Sequence, residues 1–199
     1  MPARARLPAV ERRAAVLECA CRTFAAGSYR GTTTAEIARE AGVTEPILYR
    51  HFDSKRDLYL ACLEECWARI RAAWEERIAA EPDPALWIAA MGRAFIESEQ
   101  RRPVVSSLWI QALAEAPEDE EIRRYLREHM REVHAYAADV IRRAQATGAV
   151  PRDRDAEAEA WIFISLGLLS MADRALAGLM EDQWPAIRAA RLRALAGRS

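Results

Sequence analysis

Apolar positions recur at helical spacing along nearly the whole chain, and the breaks between the periodic stretches carry Pro and Gly. Val10, Ala14, Leu17, Cys21 and Phe24 follow one another at steps of four, three, four and three. They predict a first helix with one buried face, stopped at Gly27 by a left-handed turn. A second helix is expected from Thr33, where Thr-x-x-Glu to Glu36 sets up a capping box, and it ends at Ala41-Gly42. Thr44 caps a third, short helix, whose first turn tolerates Pro46 because no N–H is needed there. Ser54 caps a fourth, with Asp57 three residues on. Leu63, Trp67, Ile70, Trp74 and Ile78 form one stripe along it as far as Ala80. Beyond the breaker Glu81-Pro82-Asp83-Pro84, helices are expected at Pro84 to Gln100, Val104 to Ala114, Glu118 to Thr147, Ala156 to Leu179 and Gln183 to Ala196. No run of β-branched residues alternates as a strand would, so the fold class is all-α.

The totals add little until their distribution is considered. Of 199 residues, 51% are hydrophobic and 30% charged, which describes a chain able to bury a core. A net charge of −1 argues against a nucleic-acid partner. Residues 1–60, however, hold ten basic side chains, including Arg4 and Arg6, against seven acids, which leaves +3 there and −4 on the remainder. The N-terminus lacks the apolar core of a secretory signal. The longest apolar stretch, Ala160 to Ala172, is shorter than the ~20 residues of a membrane span. A cytoplasmic location without membrane contact is the expectation. The four cysteines, Cys19, Cys21, Cys62 and Cys66, are then expected as reduced thiols.

The segment from Gly31 to Lys55 concentrates the candidate chemistry. Two short helices separated by Ala41-Gly42-Val43 make a helix-turn-helix, whose second helix is shaped for the DNA major groove. Ile37, Ala38, Ala41, Val43, Leu48 and Phe52 supply the packing face. Glu45, Pro46, Ile47, Tyr49, Arg50 and His51 remain to face outward. Arg50 suits guanine O6/N7, Ile47 a thymine methyl, and Tyr49, His51 and Lys55 suit phosphates. This divides the chain into a three-helix DNA-binding domain, residues 1–53, and a helical ligand-binding and dimerisation domain, residues 54–199, joined by the long fourth helix. The chain resembles the TetR family of repressors through Phe24-Ala-Ala-Gly-Ser-Tyr29, Thr32-Thr33, Ile37-Ala38, Ala41-Gly42-Val43, Leu48-Tyr49-x-His51-Phe52 and Ser54-Lys55. The resemblance implies nine helices, a dimer built by the last two long ones, a pocket among the central ones, and a transcriptional repressor on a palindromic operator. By position it puts Thr34 and Lys55 near phosphate, Glu45, Pro46, Ile47 and Arg50 near bases, and Tyr49 and His51 on the backbone; Thr33 and Thr44 complete the DNA-binding candidates. Glu45 departs from the polar or basic residues often found there; it either accepts from cytosine N4 or swings away.

In the second domain, six tryptophans are many for this length. Core packing accounts for most of them. Trp67, Trp87, Met91, Phe95, Trp109 and Trp161 are nevertheless candidates to line a cavity for an apolar or aromatic effector, with Arg101 and Arg102 beside it. Residues 161–171 are apolar on almost all sides, and such a helix must be covered on both. A second copy of the chain is the simplest cover, through Trp161, Ile164, Gly167, Leu168, Met171, Trp184, Ile187 and Leu192. Cys62 and Cys66 at i and i+4 lack a second ligand pair, so no metal and no cofactor is expected. Two rival readings are a small-molecule sensor or carrier without DNA binding, and an enzyme using Glu97, Glu99, His129 and His134. No nucleophile motif organises the latter, so the expectation is that the chain is not an enzyme.

Overall fold

The computed structural model describes residues 9–101 and 103–195. The side chain of Val10, and the residues Arg4, Arg6, Arg102 and Ala196 named above, lie outside what is described. Among the described residues the regular structure is nine α-helices and two short 3-10 turns, with no strand. The helices are α1 (Ala9–Ala26), α2 (Thr34–Glu40), α3 (Glu45–Leu48), α4 (Lys55–Ala80), α5 (Trp87–Arg101), α6 (Val104–Glu115), α7 (Glu120–Ala146), α8 (Ala156–Ala175) and α9 (Trp184–Leu195). None is long and apolar enough to cross a membrane. The expected all-α architecture with its N-terminal helix-turn-helix is the one observed.

The ends of the helices differ from expectation for local reasons. Gly27 does not adopt a left-handed conformation; the glycines that do are Gly42, Gly148 and Gly178. Gly27 is instead a matter of room, because a Cβ there would stand 2.8 Å from Thr32 Oγ1. The Thr44 hydroxyl makes no cap bond, although Thr44 does occupy the N-cap of α3. A 3-10 turn (Pro84–Leu86) capped by Asp83 delays α5 to Trp87. α7 starts at Glu120, since the Asp119 carboxylate accepts from the Glu121 and Ile122 backbone N–H groups. α8 stops at Ala175, short of Leu179, because Ala177 and Gly178 follow with φ of 58° and 81°. Asp173 then ties the turn down, accepting from Met180 N–H at 2.8 Å and from Trp184 Nε1 at 2.7 Å.

The chain forms two compact units. One comprises Met1–Ala68 with Arg102–Arg123, and the other Arg69–Arg101 with Arg124–Ser199. In the first, α1 packs on α2 and on α6. Covered on two sides, α1 buries Val16, Cys19 and Ala20 along with Leu17, Cys21 and Phe24, while Ala14 remains exposed. Phe24 meets Tyr59 edge to face at 5.1 Å between ring centres, and Tyr29 lies 4.7 Å from the same ring. Full burial of the Phe24 ring contributes about 1.5–3 kcal/mol through the water it excludes. Ile37, Leu48 and Phe52 seat α2 and α3 on this core. All four cysteines are buried free thiols. Burial and the neighbouring Cys21 raise the Cys62 thiol well above its ordinary range.

In the second unit α5 and α8 are in contact, and Ile88, Met91 and Ala94 of α5 are buried along with Ala160 and Ile164 of α8. α7 adds Ala137, Ala138, Val140, Ile141 and Ala144. The nearly buried Glu159 of α8 pairs with Arg191 of α9.

Candidate nucleic-acid interface

The geometry of the helix-turn-helix follows from its caps. Thr33 stands at the N-cap of α2 with extended backbone; its hydroxyl accepts from Glu36 N–H, and Glu36 Oε2 accepts from Thr33 N–H at 2.8 Å. The reciprocal pair satisfies two orphan donors. The Thr33 backbone and hydroxyl together hold the Glu36 carboxyl below its ordinary range. At the turn, Gly42 takes φ of 68°, which an L side chain rarely adopts, and Val43 N–H returns to the Ala38 carbonyl at 2.9 Å. These bonds end α2 and start α3 within four residues.

Pro46 of α3 faces solvent together with Tyr49 and Arg50 in the turn that follows it, and Thr44 is exposed ahead of it. Ile47 and His51 are half-buried at its edges, and Leu48 points into the core. Thr34, 8% exposed, donates its hydroxyl proton to Glu45 Oε1 at 2.5 Å and lies 3.0 Å from the Tyr49 hydroxyl. A carboxylate can only accept, so the single Thr34 proton goes to Glu45 and the Tyr49 phenol donates to Thr34. Tyr49, although 45% exposed, thus spends its proton inward. The hydroxyl of Thr34, expected near phosphate from the resemblance, lies between the Glu45 and Tyr49 side chains.

Lys55 begins α4 half-buried, with Nζ donating to the Arg30 carbonyl at 3.3 Å and lying 4.9 Å from the centre of the Tyr29 ring. Burial lowers the pKa of its amine. An acidic corner between α6 and α7 lies beside it. Arg30 pairs with Glu115 at 2.7 Å and with Glu118, and Arg56 pairs with Asp119 at 3.1 Å and Glu121 at 2.5 Å. Nothing in the sequence pointed to this corner, since the partners are more than sixty positions apart.

The effector candidates divide between the units. Trp67 and Trp109 are buried in the first; Trp87, Met91, Phe95 and Trp161 belong to the second. Met91 is fully buried and Phe95 half-buried. Trp87 donates to the Glu81 carbonyl and lies under Arg143. Trp161 is half-exposed and stacks on His134 at 4.4 Å. Nothing in the sequence pattern pointed to Tyr136 and Phe163 in this unit, whose ring centres lie 5.7 Å and 5.6 Å from that of Trp74. A Cβ on Gly92 would stand 3.9 Å from the same Phe163 ring.

The candidate self-association residues also separate. Ile164 is buried within its own chain, whereas Gly167, Leu168, Met171, Trp184, Ile187 and Leu192 are half-buried. Ile162, Leu169 and Leu176, seven residues apart, are 43%, 41% and 64% exposed and form an uncovered apolar stripe along α8 and its end. The residues of the enzyme reading engage separate partners: Glu97 with Arg77, Glu99 with Arg174, His129 with Tyr125, and His134 with Glu157. Among the described residues no group of three or more His, Cys, Asp or Glu side chains is placed to hold a metal ion.

A capped helix-turn-helix seated on a third helix, with an exposed polar second helix, defines the class of helix-turn-helix proteins. The profile of the bacterial regulatory proteins of the tetR family matches residues 16–62, and that of the BetI-type transcriptional repressor C-terminal region matches residues 84–168. The HTH-type transcriptional regulator BetI of Rhizobium meliloti (strain 1021) is 29% identical over 115 residues, 58% of this chain and 57% of the relative. The HTH-type transcriptional activator FasR of Mycolicibacterium smegmatis is 48% identical over 59 residues, 30% of this chain and 27% of FasR. A solved TetR-family transcriptional regulator from Streptomyces coelicolor superposes with a TM-score of 0.78 at 25% identity, covering 94% of this chain and 97% of the other. The chain belongs to the TetR family of transcriptional regulators. It aligns with little more than half the length of the curated BetI relative.

Proposed function

We propose that the chain is a sequence-specific DNA-binding transcriptional regulator: a cytoplasmic homodimeric repressor that leaves a palindromic operator when a small, largely apolar or aromatic effector binds. The observation that carries this reading is α3 with the turn after it, which α2's capping box and the Gly42 turn set so that Pro46, Tyr49 and Arg50 are exposed. Thr33, Thr44, Ile47, His51 and Lys55 complete the face offered to the duplex, within a DNA-reading domain of residues 1–53. The sense of regulation draws support from the second half, because the repressor-type profile lies there. The match to an activator covers only 30% of this chain.

Two copies joined through Ile162, Leu169 and Leu176 of α8 supply the paired reading heads that half-sites about 34–36 Å apart demand. The effector site is best supported in the second unit, at Trp74 of α4, Tyr136 of α7 and Phe163 of α8, with Trp87 and Met91 on α5, whose Gly92 lies against the Phe163 ring. α4 belongs to both units, its residues up to Ala68 to one and those from Arg69 to the other. An effector that prefers one pose of α4 therefore lowers operator affinity by the same coupling energy, typically about 1–3 kcal/mol. The chain acts by binding and catalyses nothing, a reading supported by its membership in a family of regulators.

The test is capture of fragmented genomic DNA by the tagged full chain. The expected result is a small set of sites with twofold symmetry. Recovery equal to that of beads alone leaves the sensor reading in its place.

A further inference from the structure

We propose that Glu45 is a specificity-determining residue that reads a cytosine, its carboxylate aimed by Thr34 and Tyr49. The inference rests on the DNA-binding reading above and names what one position of the operator must contain. Glu45 opens α3, and Tyr49 lies one turn later on the same helix face. Both converge on one hydroxyl, that of Thr34, which α2 holds almost out of solvent. The convergence decides between the two fates of an acid on this surface. A carboxylate that swung away would need another cation or donor to swing to, and the Thr34 bond at 2.5 Å keeps it on the face that carries exposed Tyr49.

One oxygen, Oε1, is engaged by Thr34, and the half-buried side chain leaves Oε2 to accept from outside. In the major groove the exocyclic amines that donate are cytosine N4 and adenine N6, and adenine adds the N7 acceptor beside its amine. An acceptor-only group is repelled by that N7, by guanine O6 and N7, and by thymine O4, so cytosine alone offers a donor without penalty. The same negative charge weakens binding to every other sequence, which sharpens discrimination by repulsion as well as by attraction.

The experiment is selection of double-stranded DNA from a random pool by the full chain and by Glu45→Gln, Glu45→Ala and Thr34→Val. The wild type is expected to enrich a motif with cytosine at one position of each half-site. Glu45→Gln keeps the bond from Thr34 and gains an N–H₂, so its preference moves to adenine, which Gln pairs bidentately. Glu45→Ala loses preference at that position alone, by roughly tenfold in relative affinity. Thr34→Val keeps cytosine but blunts its enrichment. A purely structural Glu45 would change melting temperature and leave the motif as it is. A motif retained unchanged by both Glu45 variants overturns this inference and spares the DNA-binding reading. A wild type that enriches no motif overturns both.

Discussion

The phenol of Tyr59 donates to the carbonyl of Leu108 at 2.7 Å, both residues being wholly buried. It is a buried polar link between α4 and α6 beside the aromatic contacts of Phe24 and Tyr29. Burial also pushes the phenol far above its ordinary pKa, so it remains a donor at any physiological pH. Tyr59→Phe keeps the ring contacts with Phe24 and Tyr29 and removes only the bond. The expected loss is about 1 kcal/mol of unfolding free energy, measured as a lower urea midpoint at unchanged slope.

The capping box makes a second claim on stability. Thr33→Ala removes the acceptor of Glu36 N–H and is expected to cost about 1 kcal/mol, whereas Thr33→Ser retains the bond. Thermal melts of the two variants test this directly. Equal melting temperatures for Thr33→Ala and the parent would dismiss the cap.

On the DNA side, Arg50 and Lys55 are expected to fail in different ways. Arg50→Ala loses discrimination at one base pair, by roughly 1–3 kcal/mol, because its side chain is exposed in the turn after α3. Lys55→Ala weakens all sequences alike and makes the salt dependence shallower by about one phosphate. Titrations of operator and scrambled DNA at several salt concentrations separate the two outcomes.

Self-association is expected to fail when the exposed stripe on α8 is charged. Leu169→Glu places a carboxylate at the middle of the Ile162, Leu169 and Leu176 series without touching the buried Ile164. Sedimentation of the variant is expected to give the mass of one chain, with its helical circular dichroism intact. A variant that sediments as the parent does would move the interface elsewhere.

His129 supplies a dependence on pH. Burial pushes its imidazole down to about 4, from an ordinary value of 6.5. Above 6.5 it is neutral in both the folded and unfolded chain and affects nothing. As the pH falls below 6.5 the unfolded chain takes up a proton that the folded chain refuses until about 4. Stability is therefore lost with acidification across that window, by at most about 1.4 kcal/mol per pH unit. His129→Gln is expected to flatten the dependence in chemical denaturation between pH 4 and 6.5.

Much of this was legible in the sequence where signals are local. The stripe from Leu63 to Ile78, the Thr33–Glu36 box and the Gly42 turn each depend on residues within a few positions of one another, and each is present as read. What escaped depends on residues far apart in the chain. The Trp74, Tyr136 and Phe163 group and the pairing of Arg30 and Arg56 with an acidic corner leave no periodic trace. Gly27 shows a subtler failure. Its position after a helix suggested a conformational role, but only the folded loop reveals that Thr32 needs the space. Similarly, the apolar residues 161–171 of α8 announced that they must be covered, yet could not say that Ile164 faces inward and Leu169 outward.

The acidic corner has a consequence for how the head meets a polyanion. Of the ten basic side chains in residues 1–60, Arg30 and Arg56 are already claimed by Glu115, Glu118, Asp119 and Glu121. A cation neutralised by its own chain displaces no counterion from the duplex, so the salt slope reports fewer charges than the sequence contains. The corner is a short acidic polymer built into the protein, competing with DNA for the same guanidinium groups. Affinity for an operator is then a contest between two polyanions, one of which never dissociates.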